Sequence, residues 1–441
     1  MARFTGLTTS SALLLLLCVQ GMASPLEISG FDARSTGMSG AQTAATQDHS
    51  ATLYNPAALT TVGASFGLGW MVTVPRLTID LEKPPTSERS QPAYPTTRHG
   101  ATIGAVFPIG GGLERRIALG IGVYTPLDYT AQGQLLSAQT PRFYRFQNRA
   151  EKFVGLAAMG FEITDWLHLG AGFQMIGDLL GEVAVDIRLI DRQVQGKSIY
   201  VEFPVKMAPT AGVLIEPIAG LRLGASWRQE IGLEFSIPSR LIIDDGAEVE
   251  ISVQGVALYT PESYNFGLAY SFDAPKIQLT ADVSLVRWSR APNPSLQLGL
   301  DLEGPLLTGL GLEERLDLVG GEGVDVALRD VWQPSIGAEY KMFPAVAFRA
   351  GYTWRPSPAP VPTGPYNFVD PNSHRVTAGL GLQVANPLEA TSRPLHIGLG
   401  YSVTMVDEID VEKRAAEADP IGDYTAGGEF HSLTFSLRQE L

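Results

Sequence analysis

Apolar residues alternate one for one with polar or small residues along much of this 441-residue chain. From Leu167 to Met175, Leu167, Leu169, Ala171, Phe173 and Met175 take one face of an extended strand, while His168, Gly170, Gly172 and Gln174 take the other. The same pattern runs from Leu221 to Arg228, Ile277 to Leu285, Arg375 to Gln383, Leu395 to Thr404 and Ser432 to Arg438. Successive side chains of a strand lie on opposite faces, so each segment has one apolar face and one polar or small face. Runs of about 9–11 residues suit a tilted strand crossing a bilayer, whereas strands of soluble proteins peak near about 5–6. Trp70, Tyr124, Trp227, Trp288 and Trp354 sit at segment ends, where an interfacial girdle would place them. The pattern predicts an all-β fold: a transmembrane antiparallel barrel, its Gly- and Ser-rich face lining the lumen. In lipid, every backbone polar group must then be paired within a closed wall.

The N-terminus agrees with export. Arg3 precedes the apolar run Ala12 to Val19, too short to span a bilayer, and Gly21-Met22-Ala23 offers small residues for cleavage. Residues 1–23 therefore read as a signal peptide, and the mature chain, starting near Ser24, keeps no cysteine, since Cys18 is the only one. No later segment reads as a membrane helix. Candidate strands fall near 64–74, 97–107, 115–124, 152–162, 167–175, 182–190, 198–206, 210–216, 220–228, 263–272, 276–288, 295–302, 335–342, 345–354, 374–383, 394–404 and 430–438. Some of these are expected to be loop hairpins.

Other functions leave no mark. With 32 Lys+Arg against 46 Asp+Glu, the net charge of −14 argues against nucleic acid as a partner. The six histidines show no metal-ligand spacing, and no nucleophile elbow or phosphate-binding loop occurs, so neither an enzyme, a metal nor a cofactor is expected. Asp48-His49-Ser50 resembles a triad only in letters, because triad geometry is spatial. The acidic set Asp244, Asp245, Glu248 and Glu250 reads as a solvated loop, with a divalent-ion site as the alternative. Arg142, Arg145, Arg149 and Lys152 interleave with Phe143, Tyr144 and Phe146, either as an ordinary extracellular loop or as a contact for lipopolysaccharide phosphates or a carboxylate. Leu306, Leu307 and Leu310 open an apolar stretch that either lines a groove for a greasy ligand or packs on the barrel rim.

Residues 24–63 do not alternate and are dominated by small residues between Gly37 and Ala51. Here Gly37-Met38-Ser39-Gly40-Ala41, followed by Asp48-His49-Ser50-Ala51-Thr52-Leu53-Tyr54-Asn55-Pro56-Ala57, resembles the N-terminal hatch of FadL-type outer-membrane transporters of long-chain fatty acids and hydrocarbons. Gly120-Ile121-Gly122-Val123-Tyr124-Thr125-Pro126, the stretch Thr260 to Tyr270, Ala281 to Ser289, Gly337 to Tyr340, Phe348 to Tyr352, Ser357 to Pro360 and Asp370 to His374 follow in the family's order. The C-terminal Arg438-Gln439-Glu440-Leu441 departs from it by lacking the usual final aromatic. The resemblance implies fourteen strands (residues 64–441) around a hatch (24–63), in a monomer of the bacterial outer membrane. Its partners would be a hydrophobic small-molecule ligand and the surrounding lipids and lipopolysaccharide.

It also implies a mechanism: capture among outer loops, movement into the lumen, hatch rearrangement and lateral release through the wall. On that reading Asn55, Pro56 and Ala57 form a gate where hatch meets first strand. Gly120 and Gly122 are either a kink that lets the wall open or space for lumen contents. A structural or adhesive surface barrel, binding a partner through its loops, is the alternative from another class.

Overall fold

The computed structural model describes residues 30–84, 91–109, 117–128, 139–146, 153–177, 180–188, 193–202, 205–243, 247–292, 297–303, 326–364, 366–385, 393–414 and 421–441. Fourteen strands close into an antiparallel barrel. In order around the wall they are β1 (Ser65–Leu81), β2 (Arg98–Pro108), β3 (Ile117–Pro126), β5 (Val154–Thr164), β6 (Leu167–Gly177), β9 (Val205–Ile218), β10 (Leu221–Arg228), β13 (Ser263–Phe272), β14 (Ile277–Val286), β16 (Val331–Phe343), β17 (Val346–Arg355), β19 (Ser373–Val384), β20 (Leu395–Val411) and β21 (Tyr424–Glu440). Closure comes from β1 pairing with β21 over its full length, Ser65 against Glu440 to Leu81 against Tyr424. No helix among the described residues is long and apolar enough to cross a membrane; the crossing is made by strands.

Connections alternate in length. At one rim the turns are tight, as at 165–166, 219–220 and 344–345. Gly220, at φ +82, supplies one of them, and a Cβ there would crowd the Ser271 carbonyl at 2.6 Å. Short turns mark the periplasmic rim of an outer-membrane barrel and long connections the extracellular one. The long connections carry five further strands: β7 (Leu180–Arg188), β8 (Gln193–Glu202), β11 (Ile231–Ile243), β12 (Ala247–Thr260) and β15 (Gln297–Glu303). They pair in one sheet, β15-β12-β11-β7-β8. Two short strands, β4 (Arg142–Phe143) and β18 (Phe368–Val369), bridge two other loops in parallel.

The alternation sorts as expected. Phe66, Leu68, Ile103, Phe173, Ile336 and Leu399 are exposed on the outer face, which would be a liability in water and is required against lipid. All fourteen wall strands coincide with sequence candidates, while the candidates near 182–190, 198–206 and 295–302 belong to the extracellular sheet. β11 and β12 lie where a solvated loop is expected from the acidic residues; Glu248 and Glu250 fall within β12, and Asp244 and Asp245 lie outside the described residues. The girdle reading needs correction too. Trp70 and Trp354 are exposed on the outer wall, but Tyr124 is 1% and Trp288 2% exposed. Tyr124 lies over Gly100, and Trp288 packs beneath the loops with Tyr144 and Tyr259.

The lumen is filled by residues 30–63. α1 (Ala33–Gly37) starts at Asp32, whose carboxylate accepts the Ser35 N–H in a capping box. α2 (Ala51–Tyr54) and a 3₁₀ turn (Pro56–Thr61) complete the hatch. Twelve of the fourteen wall strands place a glycine against it. Several are neighbours across the ladder: Gly67 with Gly104, Gly104 with Gly122, Gly160 with Gly170, Gly170 with Gly212, and Gly379 with Gly400. The two strands without one make hydrogen bonds instead. Asp282 of β14 accepts the Thr43 N–H at 2.8 Å, and Thr434 of β21 accepts from the Thr36 hydroxyl at 3.1 Å.

Leu399 and Gly400 test these two faces. Leu399 is 44% exposed on the outer wall, whereas a Cβ on Gly400 would meet the Ala33 carbonyl at 2.7 Å. Leu399→Arg near the midplane should cost roughly 2–4 kcal/mol and reduce insertion. Gly400→Arg should insert but free the hatch, seen as proteolysis between residues 30 and 63. Equal loss of insertion from both would contradict the assigned faces.

Candidate functional site

The joint between hatch and wall is built around Asn55. Its backbone is extended (φ −159, ψ 103), so its side chain turns back over the following turn. The Asn55 Oδ1 accepts the Ala57 N–H at 3.1 Å and caps the 3₁₀ turn, with Pro56 in its first position. The Nδ2 donates to the Thr43 carbonyl of the hatch at 2.8 Å and to the Val213 carbonyl of β9 at 3.0 Å. One fully buried amide thus ties two hatch segments and a wall strand together. Pro56 and Ala57 lie flat on the wall at Gly170, and Asn55 at Gly212, where any Cβ would collide with them. The structure therefore brings Asn55, Pro56 and Ala57 together at a single anchor.

Gly120 and Gly122 occupy a different role from a break in the wall. β3 pairs with β2 from Pro126 to Ala118 and with β5 from Ile117 to Tyr124 without a register shift. A ladder break is thus not found at these residues. Their missing side chains make room for Leu59 and Thr52 at Gly120, and for Phe31 and Thr52 at Gly122. Leu306, Leu307 and Leu310 lie outside the described residues.

Other hatch anchors are charged and were not singled out from sequence. Glu339 of β16 accepts from Arg34 Nε at 3.1 Å and from Arg349 Nε at 2.7 Å. Arg34 also donates to Gln42, the Ala45 carbonyl and Gln278, so its fork joins hatch to β14 and β16. Arg375 of β19 reaches the hydroxyl and carbonyl of Ser39 at 3.1 and 2.6 Å. The only available signal was isolated charge on otherwise small, polar lumen faces. Within the hatch, burial and the neighbouring Asp48 raise the Asp32 carboxyl to about 7. Asp48 also accepts the Ser50 N–H at 2.8 Å. His49 instead slots its ring between Gly67 and Gly104, beside Phe31, and forms no relay with its neighbours.

Two cavities flank the hatch. The upper one, of about 140 Å³, has Ser39, Thr43, Leu53 and Tyr54 as its floor. Arg145, Phe146 and Trp288 form its roof, and Arg228, Asp282, Thr353, Arg355 and Arg375 are on its sides. The roof is tied down by Arg145 to Asp370 at 2.7 Å and by Arg142 stacked 4.2 Å over Phe368. Arg142 and Arg145 are therefore buried between loops and unavailable to lipopolysaccharide; Arg149 and Lys152 lie outside the described residues. Glu262 is a second tie, accepting from Trp227, Tyr264, Arg287 and Arg290. Among the described residues no group of His, Cys, Asp and Glu is arranged to hold a metal. The lower cavity, of about 320 Å³, opens under the hatch at the periplasmic rim.

A barrel occluded by a small-residue hatch narrows the choice, and a family model decides it. The model described as outer membrane protein transport protein (OMPP1/FadL/TodX) matches residues 14–439. The chain belongs to this family. Solved structures agree in fold. A Pseudomonas aeruginosa FadL homologue is 15% identical, with 92% of this chain and 97% of that chain covered, at a TM-score of 0.58. The P. putida toluene transporter TodX is 15% identical, with 94% and 99% covered, at 0.59. The CymD monoaromatic hydrocarbon channel is 13% identical, with 95% and 99% covered, at 0.52. Among curated proteins none matches by sequence. This family of outer-membrane transport proteins sets the protein's location, the outer membrane, and its general task, transport.

Asn55→Ala removes the cap and leaves two buried carbonyls short of a donor, a loss of roughly 1–3 kcal/mol. Hydrogen exchange at Thr43 and Ala57 should rise several-fold while the wall strands keep wild-type protection. Unchanged protection of both amides would show that the anchor lies elsewhere.

Proposed function

We propose that this protein carries hydrophobic small molecules, long-chain fatty acids or hydrocarbons, passively across the outer membrane without an enzymatic step. The observation that supports this most is the occluded lumen: a hatch packed on glycines of twelve strands, with a discrete cavity between it and the roof. A water-filled pore would serve an apolar solute poorly, since each exposed CH₂ costs about 0.8 kcal/mol in water. The ligand would enter from the roof side, rest above Tyr54 and Leu53, and pass when the hatch shifts about Asn55, Pro56 and Ala57. Lateral release would then follow. With the ladder continuous at Gly120 and Gly122, sideways exit requires wall strands to part transiently there or at another seam. The protein would act as a monomer among outer-membrane lipids and lipopolysaccharide.

The adhesive-barrel reading draws on one observation, the five-stranded sheet on the extracellular side. Uptake separates the two. Cells bearing the gene should take up labelled oleate or toluene faster than cells without it, and cells with Asn55→Ala at equal surface abundance should fall between them. Equal uptake of both compounds with and without the gene would defeat the transport reading.

A further inference from the structure

The lower cavity is cationic in a chain whose net charge is −14. Arg34, Lys276, Lys341, Arg349 and Arg438 line it, against Asp32, Asp48 and Glu339. Arg349, Lys276 and Lys341 have donors left over. Arg349 spends its Nε on Glu339, while its Nη1 and Nη2 make no hydrogen bond among the described residues. The guanidinium lies over Gly381, where any Cβ would meet Nη2 at 2.5 Å and Nη1 at 2.9 Å, so the glycine gives the fork its room. The ammonium groups of Lys276 and Lys341 form no ion pair or hydrogen bond among the described residues either, and both side chains are exposed at the rim. Register brings them together. Glu339 pairs with Arg349, and two residues on, toward the rim, the Lys341 N–H bonds the Lys276 carbonyl at 3.0 Å. Phe343, Pro344, Val346 and Ala347, at the β16–β17 turn, add an apolar side to the same cavity.

We propose that this periplasmic mouth binds a carboxylate attached to an apolar tail, with Arg349 as the fork and Lys276 and Lys341 as flanking charges. Two parallel N–H donors match the two oxygens of a carboxylate, and point charges on either side strengthen the contact. The proposal rests on the transport reading and narrows its cargo to anionic amphiphiles. Such a cargo poses a problem that a plain hydrocarbon does not. Its tail can leave through the wall, but an ionised head is costly to carry into hydrocarbon. A cationic mouth facing the periplasm gives the head a polar way out.

The test is isothermal titration of the detergent-solubilised full chain with hexanoate, hexanol and inorganic phosphate. Wild type should bind hexanoate more tightly than hexanol, and Lys276→Gln/Lys341→Gln should weaken hexanoate binding by roughly tenfold while leaving hexanol unchanged. Both lysines lie outside the hatch anchors, so folding is not at stake. Arg222→Gln, at a periplasmic ion pair with Glu216, controls for the general field and should leave hexanoate binding intact. An undiminished affinity in the lysine variant, an equal loss in Arg222→Gln, or phosphate binding as tight as hexanoate would each overturn the proposal. Toluene uptake by cells carrying the lysine variant keeps the two claims apart. Normal uptake alongside unchanged hexanoate binding sinks the mouth site and leaves transport standing. If toluene and oleate uptake are both absent even in wild type, transport fails, and the titration still decides the site.

Discussion

The requirement that no backbone N–H or C=O be left unpaired in lipid governs everything else in this molecule. It forces closure, and closure here comes from β1 and β21 meeting along seventeen residues of β1. A closed wall of fourteen strands encloses more space than its own inward side chains fill. The chain answers by making those side chains small and inserting residues 30–63. The glycines of the wall are therefore not weak points in strands. They are the surface on which hatch backbone and wall backbone can touch, as Ala57 does at Gly170 and Met38 at Gly351.

This mode of packing decides what holds the hatch. Its apolar contacts are mostly alanines, with Leu59, Val62 and Leu214, so little apolar area is committed per residue. Orientation comes instead from polar links at separate points: Asn55 to β9, Thr43 to Asp282, Arg34 to Glu339, and Ser39 to Arg375 and Thr353. A buried ion pair such as Arg34–Glu339 is weak evidence for stability, because desolvation offsets much of the attraction. It does fix one geometry. A plug held by several directional contacts, each exchangeable for another partner, is suited to being displaced and reset, and Glu339 already shares one oxygen between two arginines.

The wall was legible in the sequence because its cause is local. Lipid on one side and lumen on the other imprint a period of two, and Leu399 beside Gly400 could be assigned to faces from that alone. What lay beyond the lipid was less legible. β11 and β12 alternate much as wall strands do, but the acids Asp244, Asp245, Glu248 and Glu250 favoured a loop, since a strand outside the membrane need not keep charge off a face. β20 runs on through Asp407 and Asp410 for the same reason. The hatch motif could be found, and Asn55, Pro56 and Ala57 do form one anchor. The charged partners could not, since Arg34 and Glu339 lie 305 residues apart and only the closed register brings them together. Gly120 and Gly122 show the limit of reading glycine by type: the residue that permits a bend also permits close approach, and here it serves the second.

The central claim is that the hatch must move for cargo to pass. The Ser39 hydroxyl lies 2.7 Å from that of Thr353 on β17, so a cysteine at each position could bridge hatch to wall, and Cys18 is the only native cysteine. The decisive measurement is uptake of labelled oleate and toluene by cells carrying Ser39→Cys/Thr353→Cys, oxidised and then reduced, at equal surface abundance. Uptake should vanish in the bridged form and return on reduction. Full uptake with the bridge intact would contradict a moving hatch.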